Sequence, residues 1–276
     1  MKKLDIGLQG GSGFLGSFLA NILVKKGHSV RISTRKENNS RKLWVLPNTK
    51  IREVDMNRQE QLDRFFDGCD CVINLIGILN EKKDNGQGFS YVHVELVNRL
   101  IKTCKTNGIP HLIQISSLGA DPLSASFYLS SKGQAEKLLR SEQSPKLCTS
   151  IIRPSVIFGA NDNFTNRFAK ILALTNGLLP LACPKSRLQP IYVGDVALSI
   201  TKVIENEFYA GKNYDVGGPN IYTLKEILEY ISELLNINPR IIPLNNFFSA
   251  IQAQVCELIP GKPFSKDNFR ALKKDS

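Results

Sequence analysis

The chain has 276 residues, 42% of them hydrophobic and 22% charged, a composition suited to one large globular core with room for a smaller appended domain. No apolar run reaches the roughly 18–20 residues that span a bilayer, because Val72–Leu79 and Ile171–Leu181 are short or interrupted by Asn, Gly or Pro. A formal charge of +11, from 36 basic and 25 acidic residues, favours anionic partners, but no basic run is interleaved with stacking aromatics, so nucleotide phosphates are expected and nucleic acid is not.

Met1-Lys2-Lys3 leads directly into the first predicted strand, Leu4–Leu8, which leaves no room for a targeting segment. A helical pattern follows over about Gly13–Lys26, then strands at Ser29–Ser33 and Lys50–Val54. A polar helix over Gln59–Phe66 precedes the continuous apolar run Cys71–Ile76, a strand of the central, doubly buried kind. Next come a long helix at about Tyr91–Asn107, the strand His111–Ser116, a helix at Tyr128–Glu142 and a sixth strand at Ser150–Arg153. This alternation predicts an α/β fold, a doubly wound parallel sheet with right-handed crossovers.

Past Pro154 the rhythm changes. Irregular stretches at Gly159–Asn163 and Gly177–Pro190 flank a helical pattern at Phe164–Leu174. Thr223-Leu224-Lys225-Glu226 reads as a capping box opening a helix to about Leu235. A last helix near Asn246–Ile259 puts Phe247, Phe248, Ile251, Val255, Leu258 and Ile259 on one face. The expected division is a dinucleotide-binding domain over residues 1–160, with 190–218 returning to it, and a small domain from 161–189 and 219–276.

The segment Gly10-Gly11-Ser12-Gly13-Phe14-Leu15-Gly16 has a strand before it and a helix after it, the context a pyrophosphate-binding glycine loop needs. Gly10 permits the tight turn, Gly13 the approach of the phosphates and Gly16 the close packing of the helix on the sheet. Ser12, Phe14 and Leu15 complete the loop, whose free N–H groups meet the anion at the helix start. The second strand ends in Ser33-Thr34-Arg35-Lys36 where an acidic residue would favour NAD(H). A guanidinium at Arg35 suits a 2′-phosphate, so NADP(H) is the expected cofactor and NAD(H) the alternative. Asp55-Met56 is placed for the adenine, and Gly77 for close passage of the chain beside the cofactor.

Tyr128 and Lys132, spaced i and i+4, share a helix face. The ammonium is expected to lower the phenol's pKa and hold ribose hydroxyls, leaving Tyr128 suited to proton transfer. Ser116 and Ser117, at the end of the fifth strand, are candidate donors to a substrate oxygen. The six cysteines are scattered; Cys69 and Cys71 are expected on one strand face, as reduced thiols with no metal site.

Together these residues resemble the short-chain dehydrogenase/reductase superfamily, in its atypical extended branch. The glycine loop, the Tyr128/Lys132 pair, the stretch Arg153–Gly159 with Pro154 beside the cofactor, Gln189–Ala197 and Asn213–Pro219 fall in that family's order. Within the branch, Asn74–Leu79, Leu118–Pro122, Asn163–Arg167 and Pro260-Gly261-Lys262-Pro263 are similar to the nucleotide-binding accessory subunits of respiratory complex I and their bacterial relatives. The resemblance implies an NADP(H)-binding accessory protein of the respiratory NADH:quinone oxidoreductase with a structural cofactor. It would be cytoplasmic and peripheral to the inner membrane, with complex I subunits or the membrane surface as partners. The alternatives are an active oxidoreductase with a small-molecule substrate, a quinone-like or isoprenoid carbonyl, and a sugar-nucleotide epimerase or dehydratase.

Two departures from the family bear on turnover. His93 stands where active extended enzymes present a relay asparagine, and it is either a proton relay itself or a structural histidine. The stretch from Ser117 to Tyr128 is much shorter than in sugar-nucleotide epimerases, which argues against a nucleotide-sugar substrate. The chain also stops at Ser276, where bacterial relatives continue. Its last segment, Lys262–Ser276, carries five basic and two acidic residues. With the apolar helix before it, this segment either docks on a partner or membrane surface or closes the small domain.

Overall fold

The computed structural model describes residues 2–259 and 262–275; Pro260 and Gly261 of the last resemblance segment, and the terminal Met1 and Ser276, lie outside them. The chain runs through β1 (Asp5–Gln9), α1 (Phe14–Lys25), β2 (Ser29–Thr34), β3 (Thr49–Glu53), α2 (Gln59–Phe66) and β4 (Cys71–Asn74). It continues through α3 (Gln87–Ser90), α4 (Leu96–Thr106), β5 (His111–Ile115), α5 (Phe127–Ser141) and β6 (Cys148–Pro154). After β7 (Ile157–Phe158), α6 (Thr165–Leu174), β8 (Leu178–Leu181), β9 (Arg187–Leu188) and β10 (Ile191–Tyr192) come α7 (Val193–Glu205) and β11 (Asn213–Val216). The remainder is β12 (Tyr222–Thr223), α8 (Leu224–Leu234), β13 (Arg240–Pro243), α9 (Asn246–Glu257) and α10 (Lys266–Ala271).

Seven strands form one sheet in the order β11-β6-β5-β4-β1-β2-β3, and every pairing in it is parallel. The chain starts at β1, builds outward to β3, and returns to β4 on the other side of β1. The connections after β1 and β4 therefore leave in opposite directions, which opens a crevice at the carboxyl ends of these two strands.

Strand side chains alternate between two apolar layers. Ile6, Leu8, Ile32 and Ile73 pack with Leu19 and Leu23 of α1 and Val196 and Ile200 of α7. On the opposite face, Val72 and Leu112 pack with Leu62 and Phe66 of α2, Leu100 of α4 and Leu139 of α5. A separate apolar cluster joins Leu172 of α6, Leu181 and Leu188 to Leu224, Ile227, Leu228 and Ile231 around α8. The capping box at Thr223 and Glu226 is present as expected, each side chain meeting the other's backbone N–H.

Several elements differ from expectation. The long helix begins at Gln87, because the Glu81 carboxylate accepts the N–H groups of Asn85, Gly86 and Gly88. It is interrupted by a π turn over Tyr91–Glu95 before resuming as α4. Cys69 and Cys71 face opposite layers, since Cys69 sits in the turn before β4 where strand alternation does not yet apply. All six cysteines are free, and burial pushes the Cys69 and Cys104 thiols up to about 12. Helix α9 has formed, but its large apolar residues face outward: Phe247 is 70% and Val255 55% exposed, and Leu258 just past its end 85%. Ser249 and Ala253 fill its inner face, with the Gln252 amide donating to the Pro180 carbonyl at 2.7 Å.

Leu100 lies fully buried between the sheet and α2. Leu100→Ala is expected to lower unfolding stability by about 3 kcal/mol, measured by urea denaturation, with secondary structure unchanged.

Candidate functional site

The glycine loop lines one wall of the crevice. Gly10 has φ of +77°, a left-handed conformation that a side chain would strain. A Cβ there would also stand 2.7 Å from Cγ1 of Ile76, so the loops after β1 and β4 meet at this point. The Gly10 N–H donates to the Ser33 carbonyl at 3.3 Å and that of Gly13 to the Gly10 carbonyl at 3.1 Å. At Gly16 a Cβ would fall 2.5 Å from the Gly11 carbonyl oxygen, so the close packing expected against the sheet is made on the loop's own backbone. Gly13 is the N-cap of α1 and no side chain caps it. The first-turn N–H groups, at Phe14, Leu15 and Gly16, have no acceptor within their helix. They present an anion site with no Cβ in the way, which fits a dinucleotide pyrophosphate.

Beyond the loop, the Ser12 and Thr34 hydroxyls lie 3.1 Å apart. Thr34 also donates to the Lys36 carbonyl at 3.1 Å, fixing the turn that carries Arg35. Arg35 and Lys36 are both exposed, and neither makes an ion pair among the described residues. Asp55 is exposed on the turn after β3, where its carboxylate accepts the Asn57 N–H at 2.9 Å and lies 3.6 Å from Arg58. Met56 is buried beside it, its sulfur accepting from the Gln9 amide at 3.1 Å. The Gln9 side-chain oxygen Oε1 is buried without a partner among the described residues.

The other half of the crevice is built on α5. Lys132 is buried, and its ammonium donates to the Ile115 carbonyl at 3.0 Å. Its Nζ lies 3.4 Å from where a Cβ of Gly77 would stand, so the chain after β4 passes directly over it. Burial pulls the Lys132 pKa down to about 8, with the Glu136 charge partly offsetting it. Tyr128 is half-buried, its ring edge-on to His93 at 5.6 Å and to Phe89 at 5.9 Å. Burial pushes the phenol up and the neighbouring Ser117 hydroxyl partly offsets this. The expected lowering by Lys132 is not found: burial governs the phenol, and the group that opposes it is Ser117.

Ser117 is the serine brought to Tyr128. Ser116 is not: its hydroxyl donates to Glu136 at 2.6 Å, and that buried carboxylate also takes Arg153 and Arg140. Pro154 ends β6 with its carbonyl accepting the Leu118 N–H at 2.9 Å, which holds the loop after β5 against the sheet. His93, one of the two readings left open, is a structural strut. Its Nε2 accepts the Ile78 N–H at 3.2 Å, so the ring proton sits on Nδ1 and donates to Ser131 Oγ at 2.8 Å. Ser131 in turn donates to the Tyr128 carbonyl at 2.9 Å. Burial, reinforced by the Lys132 charge, pulls the imidazole down to about 2, so the ring stays neutral between its two partners.

A polar layer not expected from the sequence crosses the strand ends, where Gln9, Asn74 and Gln114 lie side by side in register. The Asn74 amide donates to Gln114 at 2.8 Å. Its signal is a single amide at or next to the end of each apolar strand. Asp267 is likewise unexpected: its carboxylate reaches the start of α5 from 139 residues away and has no local signature.

A strand-order reversal, an uncapped glycine-rich helix start and a Tyr/Lys pair across the crevice define a dinucleotide-binding protein of the extended short-chain dehydrogenase/reductase class. The chain belongs to the NAD dependent epimerase/dehydratase family, which matches residues 6–217. It is 30% identical over 268 residues to the mitochondrial NADH dehydrogenase (ubiquinone) 1 alpha subcomplex subunit 9 of Mus musculus, covering 95% of this chain and 70% of that one. It is 28% identical over 227 residues to the mitochondrial NADH-ubiquinone oxidoreductase 40 kDa subunit of Neurospora crassa, covering 80% of this chain but only 58% of that relative's length. In fold it is similar to a dTDP-glucose 4,6-dehydratase from Streptomyces venezuelae solved with NAD, with a TM-score of 0.76 at 17% identity over 89% of this chain and 85% of that one.

The unfolded chain binds a proton at His93 near pH 6.5, whereas the folded protein refuses it down to about 2. His93 therefore costs no stability above pH 6.5 and destabilises increasingly as pH falls below it, by up to about 1.4 kcal/mol per pH unit. His111, pulled down by burial to about 4, acts in the same direction. Denaturation from pH 7 to pH 4.5 is expected to show a shallower loss for His93→Asn than for the native chain; equal slopes would contradict the neutral strut.

Proposed function

We propose that this protein binds NADP(H) in the β1/β4 crevice, holds it chiefly as a structural ligand, and works as an accessory protein of a respiratory NADH:quinone oxidoreductase. The observation that carries the cofactor reading is the pairing of the open N-terminus of α1 with an exposed Arg35 at the end of β2 that makes no ion pair among the described residues. The N–H groups of Phe14 and Leu15 would receive the pyrophosphate, and Arg35, with Lys36 and the Ser12 and Thr34 hydroxyls nearby, the 2′-phosphate. Asp55 and Met56 border the adenine end, while Gly77, Lys132 and Pro154 border the nicotinamide end. When bound, the cofactor supplies hydride chemistry.

The commitments of neighbouring side chains support holding over turnover. Ser116 is engaged by Glu136, and His93 is locked neutral between Ile78 and Ser131. Likeness over 95% of the chain to a complex I subunit supports the partner. Among the described residues no helix is long and apolar enough to cross a membrane. The outward apolar face of α9 is suited instead to lie against another subunit or a membrane surface. A second reading, an oxidoreductase acting on a quinone-like or isoprenoid carbonyl, is favoured by one observation, the Ser117 hydroxyl at the Tyr128 phenol with Lys132 one helical turn further along α5. Tyr128 would then serve as acid and Ser117 as substrate donor.

Arg35→Asp is expected to weaken NADPH binding by about tenfold or more, the loss of one charge-assisted phosphate contact, and to leave NADH nearly unchanged in fluorescence titrations. Equal losses for both would remove Arg35 from 2′-phosphate recognition. NADPH is expected to co-purify with the protein and to persist unoxidised when carbonyl substrates are supplied. Turnover abolished by Tyr128→Phe would establish the second reading instead.

A further inference from the structure

The two helix starts facing the crevice are treated in opposite ways. At α1 the first-turn N–H groups have no side-chain cap. At α5 every one of them is taken. The Phe127 N–H donates to Asp267 Oδ1 at 2.6 Å and that of Tyr128 to Asp267 Oδ2 at 3.0 Å. Leu129 donates to the Ser126 hydroxyl at 3.3 Å and Ser130 to the Ser126 carbonyl at 2.8 Å. Ser126 Oγ also donates to Asp267 at 2.8 Å, so serine cap and carboxylate form one unit. Asp267 is only 3% exposed, and a buried carboxylate at a helix N-terminus meets both the free donors and the positive end of the dipole.

The segment carrying Asp267 grips the surroundings of Tyr128 on other sides as well. Arg270 binds Asp267 at 3.0 Å and also Asp84, and its guanidinium lies 4.7 Å from the centre of the Phe127 ring. Lys262 donates to the carbonyls of Glu81 and Lys82 at 2.8 and 2.9 Å. Glu81 in turn caps the helix that places Phe89 and His93 against the Tyr128 ring. Asn268 donates to the Leu79 carbonyl at 3.2 Å, and Lys274 lies 3.5 Å from Asp121 in the loop before α5.

We propose that Asp267 is a positioning residue for the Tyr128/Lys132 pair, through which the closing segment 262–275 sets the nicotinamide half of the crevice. The Asp267 carboxylate is occupied by Ser126, the Phe127 and Tyr128 N–H groups and Arg270; it acts by fixing the first turn of α5, and the phenol and the ammonium one turn on follow that turn. This inference rests on the reading that Tyr128 and Lys132 border the nicotinamide end of a bound dinucleotide.

The test uses the full chain as native protein, Asp267→Ala and Asp267→Asn, with two readouts. With ring-labelled tyrosine, the Tyr128 resonance, assigned by its loss in Tyr128→Phe, is expected to move in Asp267→Ala as the ring leaves the His93 and Phe89 faces. Asp267→Asn, which keeps an accepting oxygen, is expected to move it less. NADPH binding is expected to weaken about tenfold in Asp267→Ala, in line with loss of a helix cap. Binding of 2′-phospho-ADP-ribose, the same nucleotide without the nicotinamide, is expected to change less than about twofold. An unmoved Tyr128 resonance, or equal weakening of both nucleotides, overturns the proposal. Should Asp267→Ala not fold, the same criteria apply to Asp267→Asn. Native protein that binds neither nucleotide refutes the cofactor reading, and the Tyr128 resonance then decides the positioning role alone.

Discussion

Strands β1 and β4 lie side by side, and the backbone leaves them in opposite directions. Where they part, Gly10 and Ile76 approach so closely that no side chain fits at Gly10. That contact forms the floor of the crevice and sets where the rest can stand. On one side it aims the open start of α1 across the strand ends; on the other it leads the chain past Gly77 over Lys132. A doubly wound sheet supplies such a crevice by topology. The two glycines and the uncapped helix turn that topology into a place for a diphosphate.

Around this floor, polar groups are divided between those left open and those already engaged. The N–H groups at the head of α1 and the Arg35 guanidinium face outward without partners among the described residues. Ser116, Glu136 and Arg153 satisfy one another beneath the sheet edge, and His93 joins the loop after β4 to α5. An unpaired buried polar group is costly, so these engagements are hard to undo. The open groups lie at the head of α1 and the end of β2, the committed ones around the end of β5 and the start of α5. In the proposed reading, this asymmetry is what favours a cofactor held over a cofactor used.

Much of the scaffold could be read from the chain because its signals are local. Apolar runs such as Cys71–Ile76 announce central strands, glycine spacing announces the loop, and Thr223 with Glu226 announces the start of α8. Arg35 could be placed because the end of β2 is fixed by its own sequence. What could not be read depends on distant partners. The roles of His93 and Ser116 follow from Ile78, Ser131 and Glu136, which sit on other elements. Glu81 as a helix cap and Asp267 as the closure of α5 involve loops and a segment far along the chain. Amphipathicity located the apolar stripe of α9, but periodicity cannot say which side of a helix faces the core. Here the small residues Ser249 and Ala253 face inward.

The π turn at Tyr91–Glu95 has a consequence for how this helix tolerates change in length. A π turn holds one residue more than the α-helical turn it replaces. It therefore separates the phase of the helix before it from the phase after it. Phe89 and His93 are rotated toward Tyr128, while Leu96 and Leu100 keep their own alignment with the core. Removing one residue within this turn would restore a regular helix with both ends in place, whereas removing one from the regular helix on either side would swing one end by about 100° relative to the other. Either the aromatic wall or the apolar stripe would then lose its register, so the lengths of the flanking helical stretches are as much a requirement of this site as the identities of the residues that line it, while the π turn itself can shorten by one.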